Sequence, residues 1–342
     1  MIMRNILVLP LFLFSLITNA QVGGGTTYGF LNLTTSARAM ALGTKSIAIN
    51  DDDLNLVYYN PALLSGNMEH HLGMNYVNYF GGINYGYVAY SPGKINRYNV
   101  STGLHYLNYG EFQGADEEGI KTGTFRASEY ALNLTASRPL DSNFTVGVHL
   151  KPVYSHLDEY RSFGVAADIG LLYTDSAGLF SAALVLENLG TQIIPYTSNQ
   201  YESLPFEIQI GASLKLKHAP FRFIVVAEHL EKPDLTFQRP DKTRLIYTYY
   251  QGGRQDVSFL DKVMRHMIFG VELTPVENFY IRGGYHYRRR QEMKVESKIS
   301  TVGFSWGFGI RIYKFYLNYG RGTYHLAGGT SHFSVRINLN EF

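Results

Sequence analysis

Strict alternation of apolar and polar residues constrains the fold of this chain more than any other feature. It runs through Phe206–Lys217 and Val302–Ile312 and returns near the carboxyl end in Phe333–Asn340. A period of two places successive side chains on opposite faces, so these segments are predicted to be strands with one apolar and one polar face. The 27 Tyr, 21 Phe and 34 Gly also favour strands and turns over helices. The sequence therefore predicts an all-β protein.

The polar faces of these strands carry mostly Gly, Ser, Thr, Asn and His, with occasional Arg or Lys. A sheet facing bulk water would carry more long charged side chains. Small polar groups instead suit the interior of a closed barrel whose apolar face meets lipid. Aromatic residues gather near the predicted strand ends, as in Tyr85–Tyr90 and Phe315–Tyr319, where we expect their amphipathic rings to form interfacial girdles.

Fourteen alternating segments can be counted, which predicts a transmembrane antiparallel β-barrel of about 14 strands. The connections sort into two alternating sets. One set is short and turn-like, beginning with Ser91–Gly93. The other set is mostly long: 110–126, 189–204, 231–263, 289–298 and 321–330. This alternation is typical of bacterial outer-membrane barrels, so we expect periplasmic turns and chain ends, with the long loops extracellular.

The first 20 residues have the pattern of a secretory signal peptide. Arg4 precedes an apolar run from Ile6 to Ile17, and a small-residue site ends at Ala20. We divide the chain into a signal peptide (1–20), a plug segment called the hatch (21–66) and an outer-membrane barrel (67–342). A fourteen-strand barrel leaves a lumen that such a hatch would fill.

Charge and cysteine content exclude several functions. The formal net charge of +2 gives no reason to expect a nucleic-acid partner. The absence of cysteine excludes disulfides, thiol catalysis and Cys-based metal sites. We expect no cofactor, no metal site and no catalytic residue.

The acidic run Asp51-Asp52-Asp53 raises the question of a cation site. Carboxylates bind hard cations, but this run lacks the alternating spacing and the distant Glu of an EF-hand loop. Aspartates after Asn50 more simply accept hydrogen bonds in a turn or cap a short helix. Asn60-Pro61-Ala62 then restricts the backbone to a bend between the hatch and the first strand.

The histidines and serines do not define an enzyme. His70 and His71 point to opposite faces of a strand and cannot share a metal. His105, His149 and His286 fall on polar faces and are predicted to line the lumen. A barrel phospholipase would need a Ser–His pair with an orienting acid or amide, and no motif singles one out.

The loop 231–263 is the candidate partner-binding site. Exposed Tyr and Arg side chains are favoured at protein interfaces, whereas a folded lid and a disordered loop are the alternatives. The candidate residues are Arg239, Arg244, Tyr247, Tyr249, Tyr250, Arg254 and Phe259. The run Arg288-Arg289-Arg290 either meets phosphates of lipopolysaccharide or an acidic surface, or is solvated loop charge.

The stretch "SARAMALGTKSIAINDDDLNLVYYNPALL" (36–64) resembles the N-terminal signature of the FadL-like superfamily of outer-membrane barrels. Three segments are similar to the PorQ family of the Bacteroidetes type IX secretion system: "YGFLNLTTSARAMALG" (28–43), "NYVNYFGGINYGYVAY" (75–90) and "FGIRIYKFYLNYGRGTYHLAGGTSHFSV" (308–335).

The resemblance implies a non-enzymatic barrel that holds a PorZ-like surface partner near the sortase PorU and the shuttle barrel PorV. That attachment complex joins secreted cargo to anionic lipopolysaccharide. The resemblance carries over no catalytic residue, and its Asn-Pro-Ala step falls on Asn60, Pro61 and Ala62. The alternatives are a FadL-like transporter of hydrophobic small molecules, which needs an apolar path through lumen or wall, and a soluble secreted β-protein.

Overall fold

The chain folds into a closed barrel of fourteen antiparallel strands. The computed structural model describes residues 26–236, 257–293, 301–325 and 328–341. Each strand pairs with its neighbour in sequence, and β1 pairs with β14 so that His71 lies opposite Asn338 and the sheet has no free edge. The fourteen predicted strands are confirmed. The predicted signal peptide lies outside the described residues.

The strands run as follows: β1 His71–Asn78, β2 Asn84–Ile95, β3 Tyr98–Ala115, β4 Lys121–Pro139, β5 Phe144–Leu157, β6 Tyr160–Thr174, β7 Phe180–Ile194, β8 Glu207–Lys215, β9 Phe221–Ala227, β10 Met267–Val276, β11 Phe279–His286, β12 Phe304–Ile312, β13 Phe315–His325 and β14 Gly328–Asn338. In the described ranges three α-helices accompany them: α1 Ala37–Ala41, α2 Phe259–Met264 and α3 Tyr287–Met293. No α-helix in the described ranges is long and apolar enough to cross a bilayer.

The two faces of the wall have opposite character, as the alternation predicted. On β12, Trp306 points outward and is 51% exposed, while its neighbour Ser305 points inward and is 5% exposed. The outward side chains of other strands are equally apolar, for example Leu104, Leu134, Leu150, Ile210 and Phe223. A broad band of exposed apolar side chains therefore surrounds the barrel.

The inward face is more highly charged than the sequence analysis assumed. Besides the expected small groups it buries Glu129, Lys151, Asp168, Glu187 and Glu272. Since isolated buried charges are very costly, these groups need charged or hydrogen-bonding partners inside the barrel.

Short connections lie at one end of the barrel, here called the turn end: 96–97, 140–143, 175–179, 216–220, 277–278 and 313–314. The other described connections form the loop end, which includes 195–206 and the described residues 228–236 and 257–266. The predicted turn at Ser91–Gly93 was wrong. Strand β2 continues to Ile95, and the Pro-Gly step is absorbed by a shift in strand register between Tyr90 and Gly93.

Two of the predicted long loops were also wrong. In the segment 110–126, β3 and β4 continue as paired strands, so that only 116–120 connects them. The added length is held by cross-strand contacts, because Phe112 stacks on Phe125 and Glu111 pairs with Arg126. Within 321–330, β13 and β14 extend to His325 and Gly328. Polar residues in these extensions hide the apolar alternation that marks the rest of the wall.

The described part of the hatch, residues 26–66, fills the lumen and touches the wall all the way round. Helix α1 packs on β11 to β14, and the short 3₁₀ helix Pro61–Leu63 packs on β4 to β6. Hydrogen bonds and ion pairs join other hatch residues to β3 and β7 through β10. The helical character predicted for 36–42 is confirmed by α1, whose first turn is capped by the Ser36 side chain.

Wall glycines make room for the hatch backbone. A Cβ added at Gly147 would overlap the backbone of Pro61 and Ala62, and one at Gly284 would overlap Leu42 and Gly43. We predict that Gly147→Ala pushes the hatch away from β5 and lowers stability by about 1–3 kcal/mol, the usual cost of overpacking.

The thermal midpoint of the barrel, followed by heat-modifiable gel mobility, measures this effect. The matched control is Gly29→Ala, since a Cβ there meets nothing within 4 Å. Equal midpoints for the two variants would contradict the close contact between hatch and wall.

Candidate functional site

Arg38 on α1 is the centre of the contact between hatch and wall. Its Nε lies 3.0 Å from Glu272 Oε2 and its Nη2 lies 2.9 Å from Glu272 Oε1, a bidentate pair to β10. The same guanidinium also reaches Asp51 Oδ2 at 2.6 Å and Asp53 Oδ2 at 3.2 Å. The planar five-donor fork of arginine suits this geometry. One buried side chain thus links α1, the acidic run and the wall.

Two arginines of the wall complete a cluster of six charges, which we call the latch. Arg282 Nε on β11 lies 2.7 Å from Glu272 Oε2. Arg222 Nη1 on β9 lies 2.7 Å from Asp51 Oδ2 and 3.2 Å from Glu272 Oε1. Three guanidiniums therefore face three carboxylates, so the latch is formally neutral: Arg38, Arg222, Arg282, Asp51, Asp53 and Glu272.

The acidic run has three separate roles. Asp53 caps the 3₁₀ helix Leu54–Tyr59 by accepting from the Asn55 amide, and Asp52 accepts from Ser65 Oγ at 2.5 Å. These two confirm the predicted capping and turn roles. For Asp51 that prediction was wrong, because its described partners are the guanidiniums of Arg38 and Arg222 and not a backbone amide. Burial raises the pKa of Asp51, but Arg38 and Arg222 outweigh burial and hold that pKa well below its usual value.

A cavity of about 480 Å³ opens beside the latch at the turn end. Arg38, Asp51, Arg222, Glu272 and Arg282 line one part of it, and Arg336 lines another. Its walls are strongly charged, so they suit water and ions better than an apolar solute.

Asn60 organises the backbone at the Asn60-Pro61-Ala62 step. Asn60 is fully buried, its Nδ2 donates to the Ile47 carbonyl at 2.7 Å, and its Oδ1 accepts from the Ala62 amide at 2.9 Å. Asn60 therefore caps the 3₁₀ helix that begins at Pro61. A short further stretch leads from this helix to β1.

The lumenal histidines lie inside, as predicted. His105 Nδ1 is 2.9 Å from the Tyr58 hydroxyl, and His149 Nδ1 is 3.0 Å from Asp168 Oδ2. Asp168 also pairs with Lys151 at 2.6 Å. His149 thus bonds an acid that is already bound to a lysine, an arrangement that fixes these wall side chains of β5 and β6 in place.

Most of the candidate partner-binding residues lie outside the described part of the chain: Arg239, Arg244, Tyr247, Tyr249, Tyr250 and Arg254. Phe259 is described, and it begins α2 with 82% of its surface exposed. Leu260 beside it is 69% exposed. The end of the loop 231–263 therefore presents apolar side chains to its surroundings.

The basic run does not lie in a long loop, as the sequence analysis assumed, but in α3. Arg288 Nη2 pairs with Glu228 Oε1 at 2.9 Å, and the Arg289 guanidinium stacks 3.9 Å above the Tyr324 ring. These internal partners leave both side chains less available for an external phosphate than freely solvated charges would be.

The latch residues on the wall were missed by sequence reasoning. Each of the three occupies an inward-facing position of its strand: Arg222 on β9, Glu272 on β10 and Arg282 on β11. Nothing in the sequence shows that these strands face Arg38. The signal that could have found them is the presence of long charged side chains on a polar face that otherwise carries small groups.

Comparison with solved structures supports the architecture. A FadL homologue of Pseudomonas aeruginosa superposes with a TM-score of 0.50 at 9% identity, over 89% of this chain and 98% of that one. The fold is FadL-like. The toluene transporter TodX of Pseudomonas putida gives a TM-score of 0.49 at 11% identity, over 89% of this chain and 96% of that one. No protein-family model and no curated protein matches the sequence.

The latch generates a stability prediction. Glu272→Gln leaves the buried Arg38 and Arg282 and the partly buried Arg222 facing two carboxylates, and we expect the free energy of unfolding to fall by about 3–5 kcal/mol. Denaturant unfolding in detergent measures this, with the single tryptophan, Trp306 on β12, as the fluorescent reporter.

Glu111→Gln provides the control, because it breaks an ion pair with Arg126 whose two side chains are exposed. That change is expected to cost about 0–1 kcal/mol. If both variants unfold at the same denaturant concentration, the latch does not hold the hatch.

Proposed function

We propose that the protein is an integral outer-membrane barrel with a closed hatch, which acts from its surface and is not an enzyme. The exposed apolar band supports a position in lipid, because charged side chains on that face would be costly there. The described connections at the turn end of the barrel are all short, whereas long connections such as 195–206 lie at the loop end. This arrangement supports a topology in which the turns and the chain ends face the periplasm and the loop end faces the outside of the cell. The observation that carries the proposal is the hatch, which is ion-paired to the wall and fills the lumen.

Within this class we propose a surface anchor of the type IX secretion system. The three segments that resemble the PorQ family support this role, as does a lumen whose turn-end mouth is charged. The partner would be a PorZ-like surface protein of the attachment complex, near PorU and PorV, with lipopolysaccharide around the loop end.

The loop 231–263 is the proposed contact with that partner. Exposed Phe259 and Leu260 add an apolar element to the Tyr and Arg residues of the loop. A protein interface typically combines such an apolar centre with Arg and Tyr side chains.

A second candidate, transport of hydrophobic small molecules, is the function that the FadL-like fold favours. An apolar cluster toward the loop end offers a first contact for such a solute. It includes Phe30, Leu31 and Leu204, with Leu33 and Ile83 packed against them. The solute would then have to pass the latch and the charged cavity, so transport requires the hatch to move.

Replacement of residues 239–254 by a Gly/Ser linker tests the anchor. We expect the surface partner to be lost from a detergent pull-down while the barrel keeps its heat-modifiable mobility. The matched control replaces the hairpin tip Asp116–Ile120, which is also an exposed loop-end segment. Retention of the partner by the 239–254 variant, or its loss from the tip variant alone, would contradict the proposed contact.

Uptake into liposomes separates the two candidates. The anchor proposal predicts that liposomes containing this protein take up toluene no faster than empty liposomes, because the latch keeps the hatch in place. Liposomes containing TodX, a toluene transporter, serve as the positive control. Uptake comparable to TodX would favour transport over anchoring.

A further inference from the structure

Two glutamates and a histidine meet at the loop end of the barrel, away from the latch. Glu207 is the first residue of β8, and Glu228 and His229 directly follow β9. One oxygen of each carboxylate and one imidazole nitrogen all lie within 4.8 Å of one another. Glu207 and Glu228 are buried and His229 is partly buried.

One carboxylate oxygen of Glu207 lacks a hydrogen-bond partner among the described residues. Glu207 is 0% exposed, and its Oε1 accepts from Lys45 Nζ of the hatch at 2.6 Å. Its Oε2 has no hydrogen-bond partner in the described part of the chain, and His229 Nε2 lies 3.6 Å away. A buried carboxylate oxygen without a partner is costly, so a cationic group placed beside it would stabilise the site.

The imidazole is oriented toward that oxygen by a second carboxylate. His229 Nδ1 lies 3.1 Å from Glu231 Oε1, which fits an Nδ1–H donor and leaves the Nε2 lone pair facing Glu207. This carboxylate–imidazole contact is the usual support of a metal-binding histidine. His229 also has φ 55°, a left-handed conformation that a residue other than glycine seldom adopts.

Local charge favours an added cation. Four carboxylates are linked by close contacts here, those of Glu187, Glu207, Glu228 and Glu231. In the part of the chain that the structure describes, two full cations form ion pairs with them, Lys45 and Arg288. With neutral histidines the group carries a formal excess of two negative charges, which one divalent cation would balance.

We propose that Glu207, Glu228 and His229 Nε2 bind one divalent transition-metal cation, with Zn²⁺ the best match to two carboxylates and one imidazole. Zinc takes such ligands at about 2.0–2.2 Å, so the three ligand atoms need to close around it by small side-chain rotations. Mg²⁺ and Ca²⁺ prefer all-oxygen sites and fit the imidazole less well. Three protein ligands leave a fourth position for water.

Such an ion would join β8 to the start of the loop 231–263, and through Lys45 it would border the hatch. The site does not depend on the anchor or transport proposals. The sequence predicted no metal site, and no spacing motif connects Glu207, the first residue of β8, with His229, which follows β9.

The test uses the full chain, purified in detergent with a tag that contains no histidine and stripped of metal with a chelator. Titration with Zn²⁺ by calorimetry is expected to give one ion per chain. His229→Ala and Glu207→Gln are each expected to weaken binding at least about 100-fold, because loss of an outer-shell partner alone costs about 10–100-fold. Glu231→Gln, which removes that outer-shell contact, is expected to fall in the 10–100-fold range.

His218→Ala is the matched control, as His218 is exposed at the turn end, and it is expected to leave zinc affinity unchanged. Heat-modifiable mobility checks that each variant is folded, and a visible Co²⁺ absorption spectrum of the unaltered chain reports ligation without any substitution. Absence of stoichiometric zinc binding by the unaltered chain would overturn the proposal. Equal affinity of the His229→Ala and unaltered chains would overturn it as well.

Discussion

A fourteen-strand barrel is too wide for wall side chains alone to fill, and the rest of the structure depends on how that lumen is closed. The hatch closes it with largely irregular backbone, whose amide and carbonyl groups still need partners. Wall serines supply several of them. Ser334 Oγ accepts from the Ala37 amide at 2.8 Å, and Ser181 Oγ donates to the Ala48 carbonyl at 2.5 Å. The small polar residues of the inward face therefore serve the hatch as well as the lumen.

Buried charges fix the hatch in one position. A buried ion pair adds little net stability, but breaking one is expensive because a lone charge remains. Arg38 is held by Glu272 on the wall and by Asp51 within the hatch, so moving α1 would expose or isolate several charges together. Lys45 and Glu207 repeat this arrangement at the loop end. These two contacts explain why a closed hatch is the favoured state.

Alternation predicted the barrel well, because a period of two on each strand is a local property of the sequence. Strand ends were predicted less well where cross-strand pairs such as Glu111 with Arg126 extend the sheet. Long charged side chains on the polar faces could have marked candidates, but their pairing could not be predicted, since Arg38 meets Glu272 and Lys45 meets Glu207 only when the barrel closes around the hatch. Asp51 illustrates what local sequence cannot predict. Its neighbours in the sequence suggested a turn, whereas its role is set by Arg222, which lies on a strand distant in the sequence.

Amide hydrogen exchange in detergent tests the closed hatch most directly. Native-state exchange reports the free energy of each local opening. The account predicts that peptides covering 36–64 are protected to about the same degree as peptides of the wall strands, and that both lose protection together on unfolding. Rapid exchange of 36–64 while the wall strands stay protected would contradict it, because the hatch would then open on its own inside an intact barrel.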